Sequence, residues 1–180
     1  MEIQKLVVGQ LQTNCYLVWG EDKQAIIIDP GDDAEYLENT IRDAGLVPKI
    51  ILATHGHYDH ILAATELKLA YRIPFLIHQD DLPFVFRYKQ IKPDGFLKEN
   101  QKVESFKVVY FGEHSPGSVG FYGQKEKIIF SGDILFADGV GTYVTRQATA
   151  KFLELPKDIL VLPGHGESFT LADWPQAGFV

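Results

Sequence analysis

The sequence has a single cysteine, Cys15, so no disulfide can form within the chain, and at 180 residues the chain is long enough to bury a core without one. Cys15 sits in the apolar run Cys15-Tyr16-Leu17-Val18-Trp19 and reads as a buried structural thiol rather than a nucleophile. Long apolar runs are missing as well. None nears the roughly 20 residues that cross a bilayer, which excludes a membrane-spanning helix and sets the expectation of a soluble protein. Residues 1–9 lack a basic segment followed by an apolar core, so no secretory signal is read and a cytoplasmic setting is expected. Positive charge is scarce: 17 Lys and Arg stand against 24 Asp and Glu, for a net charge of −7. Binding along phosphate backbones needs clustered Lys and Arg, so a nucleic-acid partner is not expected. No repeat, low-complexity tract or flexible linker divides the chain, the tail with Trp174 and Pro175 is too short for a further unit, and residues 1–180 read as one domain.

What is present is a hydrophobic share of 46%, laid out in runs of strand length. Leu6-Val7-Val8, residues 15–19 and Ala25-Ile26-Ile27-Ile28 are split by Gly9 and by Gly20-Glu21-Asp22, which predicts adjacent strands joined by hairpins. Tyr36, Leu37, Ile41 and Ala44 recur at helical spacing between Asp33 and Gly45, and a short strand follows at 50–53. Ile61, Leu62, Thr65, Leu67, Leu69 and Ala70 predict a second helix that Pro74 ends, before a strand at 75–77. Residues 83–95 are expected to form a long loop. Strand patterns return at 106–111, 119–122, 127–131 and 159–162, with a cramped helical pattern at 148–155. Two strand-rich halves with helices between them imply sheets packed face to face and helices outside.

Chemistry concentrates in Thr54-His55-Gly56-His57-Tyr58-Asp59-His60, where three imidazoles and one carboxylate fall within six positions after an apolar strand and before a helix. Imidazole and carboxylate bind first-row metals, and side chains at the carboxyl end of a strand point into one cavity. Asp59 and His60 fall in the expected first helical turn and so diverge from His55 and His57, an arrangement that suits two metals. A merely solvated loop would not gather three of the six histidines. Further loops of the same kind hold His114 (Glu113-His114-Ser115-Pro116-Gly117), Asp133 (Ser131-Gly132-Asp133) and His165 (Pro163-Gly164-His165-Gly166). Their Gly and Pro neighbours let the backbone come close to a cavity. Taken singly, His114 and His165 read equally as ligands or as ordinary polar loop residues.

In this order THGHYDH, EHSPGS, SGD and PGHG resemble the glyoxalase II-like (hydroxyacylglutathione hydrolase-like) branch of the metallo-β-lactamase fold superfamily, as do residues 13–18 and Asp29-Pro30-Gly31-Asp32-Asp33. The resemblance spans nearly the whole chain. It implies an α+β fold, a four-layer αββα sandwich of two mixed sheets with helices outside. It further implies two divalent metal ions, zinc first, with iron or manganese as alternatives. His55, His57 and His114 would take one ion, Asp59, His60 and His165 the other, and Asp133 would bridge them. Asp29 would orient a ligand, although a plain strand-ending aspartate fits the same place. His78 lies outside every motif and is expected to be structural.

Two metals roughly 3.5 to 4 Å apart can share a hydroxide formed near neutral pH, which Asp59 would help position, so no Ser or Cys nucleophile is required. The implied reaction is hydrolysis of a small-molecule acyl thioester. In glyoxalase II proper a helical C-terminal domain and a basic-aromatic segment hold glutathione, whereas this chain ends at Val180 and has Thr142 where that branch tends to carry a basic residue. Tyr143 and Arg146 remain as candidate contacts for a substrate carboxylate, beside a surface or packing role for each. Other readings on the same fold are a mononuclear iron persulfide dioxygenase and a promiscuous β-lactamase, lactonase or nuclease. A non-catalytic metal-binding module is a different class, against which the complete ligand set argues.

Overall fold

Alternation along the strands sorts the apolar side chains into three core layers in the computed structural model, which describes residues 1–174. Pro175 lies outside the described residues. The first sheet is built in sequence order from β1 (Glu2–Val8), β2 (Thr13–Trp19), β3 (Gln24–Ile28), β4 (Val47–Leu52), β5 (Phe75–His78) and β6 (Gly95–Leu97). Strands β1 to β3 are antiparallel neighbours, and β3 to β6 run parallel. The second sheet contains β7 (Lys102–Val103), β8 (Phe106–Tyr110), β9 (Val119–Gly123) and β10 (Ile128–Gly132). After the small hairpin of β11 (Leu135–Phe136) and β12 (Gly139–Val140), β13 (Leu160–Pro163) and β14 (Phe169–Thr170) complete it in the order β14-β13-β10-β9-β8-β7.

Successive residues of a strand face opposite sides, so one strand feeds two layers. Tyr16, Val18, Ile26 and Ile28 meet Phe106, Phe121 and Phe130 between the sheets, whereas Cys15, Leu17, Ala25 and Ile27 face the helices of the first sheet. Ile129 and Val161 face outward to Phe152 and Trp174. The layers are therefore α, β, β and α, as the resemblance implied, and Cys15 is fully buried. Among the described residues no helix is long and apolar enough to cross a membrane.

The predicted first helix is α1 (Ala34–Asp43), with Leu37 and Ile41 buried, while Tyr36 is exposed to solvent. The predicted second helix is two pieces, α2 (Tyr58–Ile61) and α3 (Ala64–Tyr71). Ala63 N–H donates to Pro30 O between them, and Leu69 faces solvent. The long loop expected at 83–95 is corrected in its first half, where α4 (Leu82–Arg87) forms with Pro in its first turn and Val85 buried. Six residues are too few to show a helical period, but proline at a helix start loses no hydrogen bond.

The cramped helical pattern at 148–155 is α5 (Arg146–Leu153), which begins earlier because Thr145 Oγ1 accepts from Gln147 N–H at 3.2 Å. Thr145→Ala is expected to cost about 1 kcal/mol, the ordinary worth of such a cap. It should appear in urea unfolding as a lower midpoint at unchanged slope.

Parallel pairing decides where the chemistry lies. Strands β3 and β4 run parallel in one sheet, β10 and β13 in the other, so each pair delivers its carboxyl ends to one rim. The sheets are tied there by Thr54 O accepting from Val119 N–H (2.8 Å) and Gly164 O accepting from Asn14 N–H (2.7 Å).

Candidate metal centre

All seven residues expected to bind metal meet at this rim. His55 follows β4, and Asp59 and His60 occupy the first turn of α2 after His57. His114, Asp133 and His165 follow β8, β10 and β13. His114 Nε2 lies 2.9 Å from His57 Nδ1 and 3.2 Å from His55 Nε2, and those two are 3.1 Å apart. A tetrahedral ion with nitrogens at 2.0–2.1 Å sets them roughly 3.3 Å apart, so this triangle is close to one face of such a site.

A second group lies alongside, with Asp59 Oδ2 at 3.5 Å from His60 Nε2 and 3.3 Å from His165 Nε2. Asp133 reaches both groups. Its Oδ1 is 3.4 Å from His60 Nε2, and its Oδ2 is 3.4 Å from His165 Nε2 and 3.6 Å from His114 Nε2. His60 Nε2 and Asp133 Oδ1 are buried without a hydrogen-bond partner among the described residues, at an ion-pair distance without hydrogen-bond alignment. Buried polar atoms are seldom left unpaired, and a cation between these groups would satisfy both. The donor set therefore fits divalent metal and forms a His/Asp cluster able to hold it.

Charge is divided between the two groups. Burial pushes the His55, His57 and His114 imidazoles below their ordinary value, and the neighbouring His60 adds to this in all three. They are thus neutral near pH 7, the form that binds metal. Burial acts the same way on His60, but Asp133 and Asp29 outweigh it and hold that imidazole well above its ordinary value. Burial is likewise outweighed at His165, which hydrogen bonds to Asp133 and Asp59 raise to about 9. For Asp133 burial favours the neutral acid, yet His60, His165 and His55 together keep the carboxyl well below its usual range.

The outward nitrogens are held. Thr54 Oγ1 is 3.1 Å from His55 Nδ1, Thr142 O is 3.3 Å from His114 Nδ1, and Leu11 O is 3.1 Å from His165 Nδ1. Asp29, expected as an orienting residue, is buried and accepts from Thr54 N–H and Thr54 Oγ1 at 2.7 Å each, with His60 Nδ1 at 3.0 Å. Asp29 and His114 both have left-handed backbone, φ 51° and 67°, which aims their side chains inward at a conformational cost. Gly164 is required by space, since a Cβ there would stand 2.2 Å from Asp133 Oδ1.

Thr13 and Asn14 also serve the cluster, although neither is a metal-binding residue type. Thr13 Oγ1 donates to Asp59 Oδ2 at 3.0 Å, and Asn14 Nδ2 donates to Pro163 O and Gly166 O at 2.9 Å each, fixing the His165 loop. Their place in residues 13–18, part of the resemblance, was the available signal. His78 stays outside the cluster and stacks on Tyr110. Tyr143 is 85% exposed with φ 63°, and Arg146 opens α5. An open groove of about 670 Å³, lined by Leu11, Phe136, Asp138 and Glu167, leads to the exposed edge of His165.

Comparison with known proteins agrees with this architecture. Residues 8–165 match the model of the family described as the metallo-beta-lactamase superfamily. Hydroxyacylglutathione hydrolase GloC of Haemophilus influenzae is 33% identical over an alignment 199 positions long, covering 95% of this chain and 93% of that protein. Among solved structures, TTHA1623 in a di-iron-bound form has a TM-score of 0.89 at 34% identity, covering 94% of this chain and 96% of its own. BLEG-1 B3 metallo-beta-lactamase has a TM-score of 0.87 at 32% identity, covering 96% and 95%. With the motifs in order, the αββα layers and a family match over most of its length, the chain belongs to the metallo-beta-lactamase superfamily.

Proposed function

We propose that this chain is a metal-dependent hydrolase of acyl thioesters that holds two divalent ions, zinc ahead of iron or manganese. His55, His57 and His114 hold one ion, Asp59, His60 and His165 the other, and Asp133 stands between them. The observation that carries the reading is the convergence of these donors around His60 Nε2 and Asp133 Oδ1, both buried and unpaired. Likeness to a hydroxyacylglutathione hydrolase supports the thioester, and likeness to a di-iron-bound structure supports two ions. Held by these residues, divalent ions would supply a hydroxide near neutral pH and Lewis acidity toward an acyl carbonyl.

The protein's part is placement. Asp59, fixed by Thr13, sets one wall of the second group, and Asp133 keeps the two groups in register. The groove beside His165, with apolar Leu11 and Phe136 in its lining, is the entry route for a small substrate, and Tyr143 and Arg146, which do not line it, are candidate partners for a substrate carboxylate outside it. Asp29 acts through His60, so Asp29→Asn, which trades an acceptor for a donor, is expected to weaken metal binding about 10- to 100-fold. Titration of the metal-free chain against a competing chelator measures this.

The reading is tested by loading the chain with zinc, iron or manganese, measuring metal content, and assaying S-acyl glutathione and simpler thioesters beside lactones, β-lactams and phosphodiesters. Thioester turnover with two ions per chain is expected. A fully loaded sample that turns over none of these substrates would establish a binding module instead. One iron per chain, with oxygen consumed on a glutathione persulfide, would establish the dioxygenase.

A further inference from the structure

Asp81 lies outside the histidine-bearing loops, in the turn that follows β5, yet its side chain is completely buried. Its Oδ2 accepts from Gly56 N–H and Ser115 Oγ, and its Oδ1 from Gly117 N–H, each at 2.7 Å. Gly56 separates His55 from His57, and Ser115 and Gly117 follow His114. One carboxylate thus spans the two loops that carry the nitrogen triangle. The approach is tight: a Cβ on Gly117 would stand 2.6 Å from Asp81 Cγ, and one on Gly56 would stand 3.0 Å from Asp81 Cβ.

We infer that Asp81 is a positioning residue that fixes the spacing of His55, His57 and His114 and so sets the affinity of the cation held by those three. The inference rests on the two-ion reading above. The two loops leave different sheets, His55 from β4 and His114 from β8, so no strand ladder fixes one against the other; the Thr54 O to Val119 N–H bond joins them at their bases, and Asp81 adds three bonds within the loops themselves. Metal sites tolerate errors of only about 0.2 Å in ligand distance, so a small slip of one loop would spoil the triangle. A carboxylate receiving three hydrogen bonds resists that slip better than apolar packing, because charge-assisted bonds are short and directional. Among the described residues Asp81 makes no hydrogen bond to Asp59, His60 or His165, and the His114 loop that it ties to the His55 loop carries a ligand of the triangle alone, so its effect is expected chiefly at that cation site.

The test uses metal-free wild type and Asp81→Asn, titrated with zinc against a chromophoric chelator and followed in parallel by cadmium-113 NMR. His114→Ala identifies the resonance of the nitrogen triangle. Wild type is expected to take two ions. Asp81→Asn should weaken the triangle's site 10- to 100-fold, the usual range for a group supporting a ligand, and leave the other within about threefold. Equal affinities in folded Asp81→Asn and wild type, or equal losses at both sites, would overturn the inference while leaving the two-ion reading intact. A wild type that takes fewer than two ions would overturn both. Should Asp81→Asn fail to fold, Ser115→Ala, which removes one donor, decides by the same selective loss.

Discussion

Asp59→Ala is expected to lose at least about a thousandfold in kcat/KM on an acyl thioester while the chain stays folded. Asp59 Oδ2 faces His60 and His165 and receives the Thr13 hydroxyl, so its loss removes the carboxylate of the second group at one stroke. A thousandfold is roughly 4 kcal/mol of transition-state stabilisation, the upper end of what deleting a single preorganised polar group costs. The fold should survive, because Asp59 belongs to none of the three cores and alanine suits the first turn of a helix. Circular dichroism checks the fold, metal analysis the loading and steady-state kinetics the activity. Activity within tenfold of wild type at full loading would contradict a mechanism that needs both groups.

Stripping metal with a chelator should lower Tm by about 10–20 °C, and zinc should restore it. Each ion at a hundredfold excess over its Kd adds about 2.7 kcal/mol, two add about 5, and a domain of this size shifts by about 2–4 °C per kcal/mol. The structural reason is local. His60 Nε2 and Asp133 Oδ1 are buried without a hydrogen-bond partner among the described residues, and a bound cation would compensate both. Far-UV circular dichroism at 25 °C should not change, since the three cores hold the strands without the cluster. Differential scanning calorimetry with and without chelator measures the shift, and an unchanged Tm would show that the cluster holds no ion.

The elements that were hardest to read are those with little local pattern. Strands 95–97, 102–103 and 169–170 are two or three residues long and gain their pairing from neighbours already in place. Leu69 fits a helical stripe by spacing yet faces solvent, since α3 starts anew after the break at Leu62 and Ala63 and turns its buried side through Ala64 and Leu67. Asp81 stands in Gln79-Asp80-Asp81, which looks like any acidic turn, and its neighbour Asp80 is exposed. Only the return of the His114 loop against the His55 loop makes one of these two carboxylates a clamp.

By itself the sequence determined the chemistry available and the kind of fold: histidine and aspartate in strand-end loops, alternation for two sheets, and motifs in family order. Residues 55–60 hold their donors in one loop, so local chain geometry already forces most of that group together. The tertiary structure alone decided which atoms meet. His55 and His114 are 59 residues apart, and their nitrogens come within 3.2 Å because the two sheets deliver their strand ends to one rim. The reach of Asp133 to both groups, the hold of Asp29 on His60 and the span of Asp81 between two loops are likewise long-range. Such contacts follow from strand pairing and layer packing, which alternation of residues along a chain does not specify.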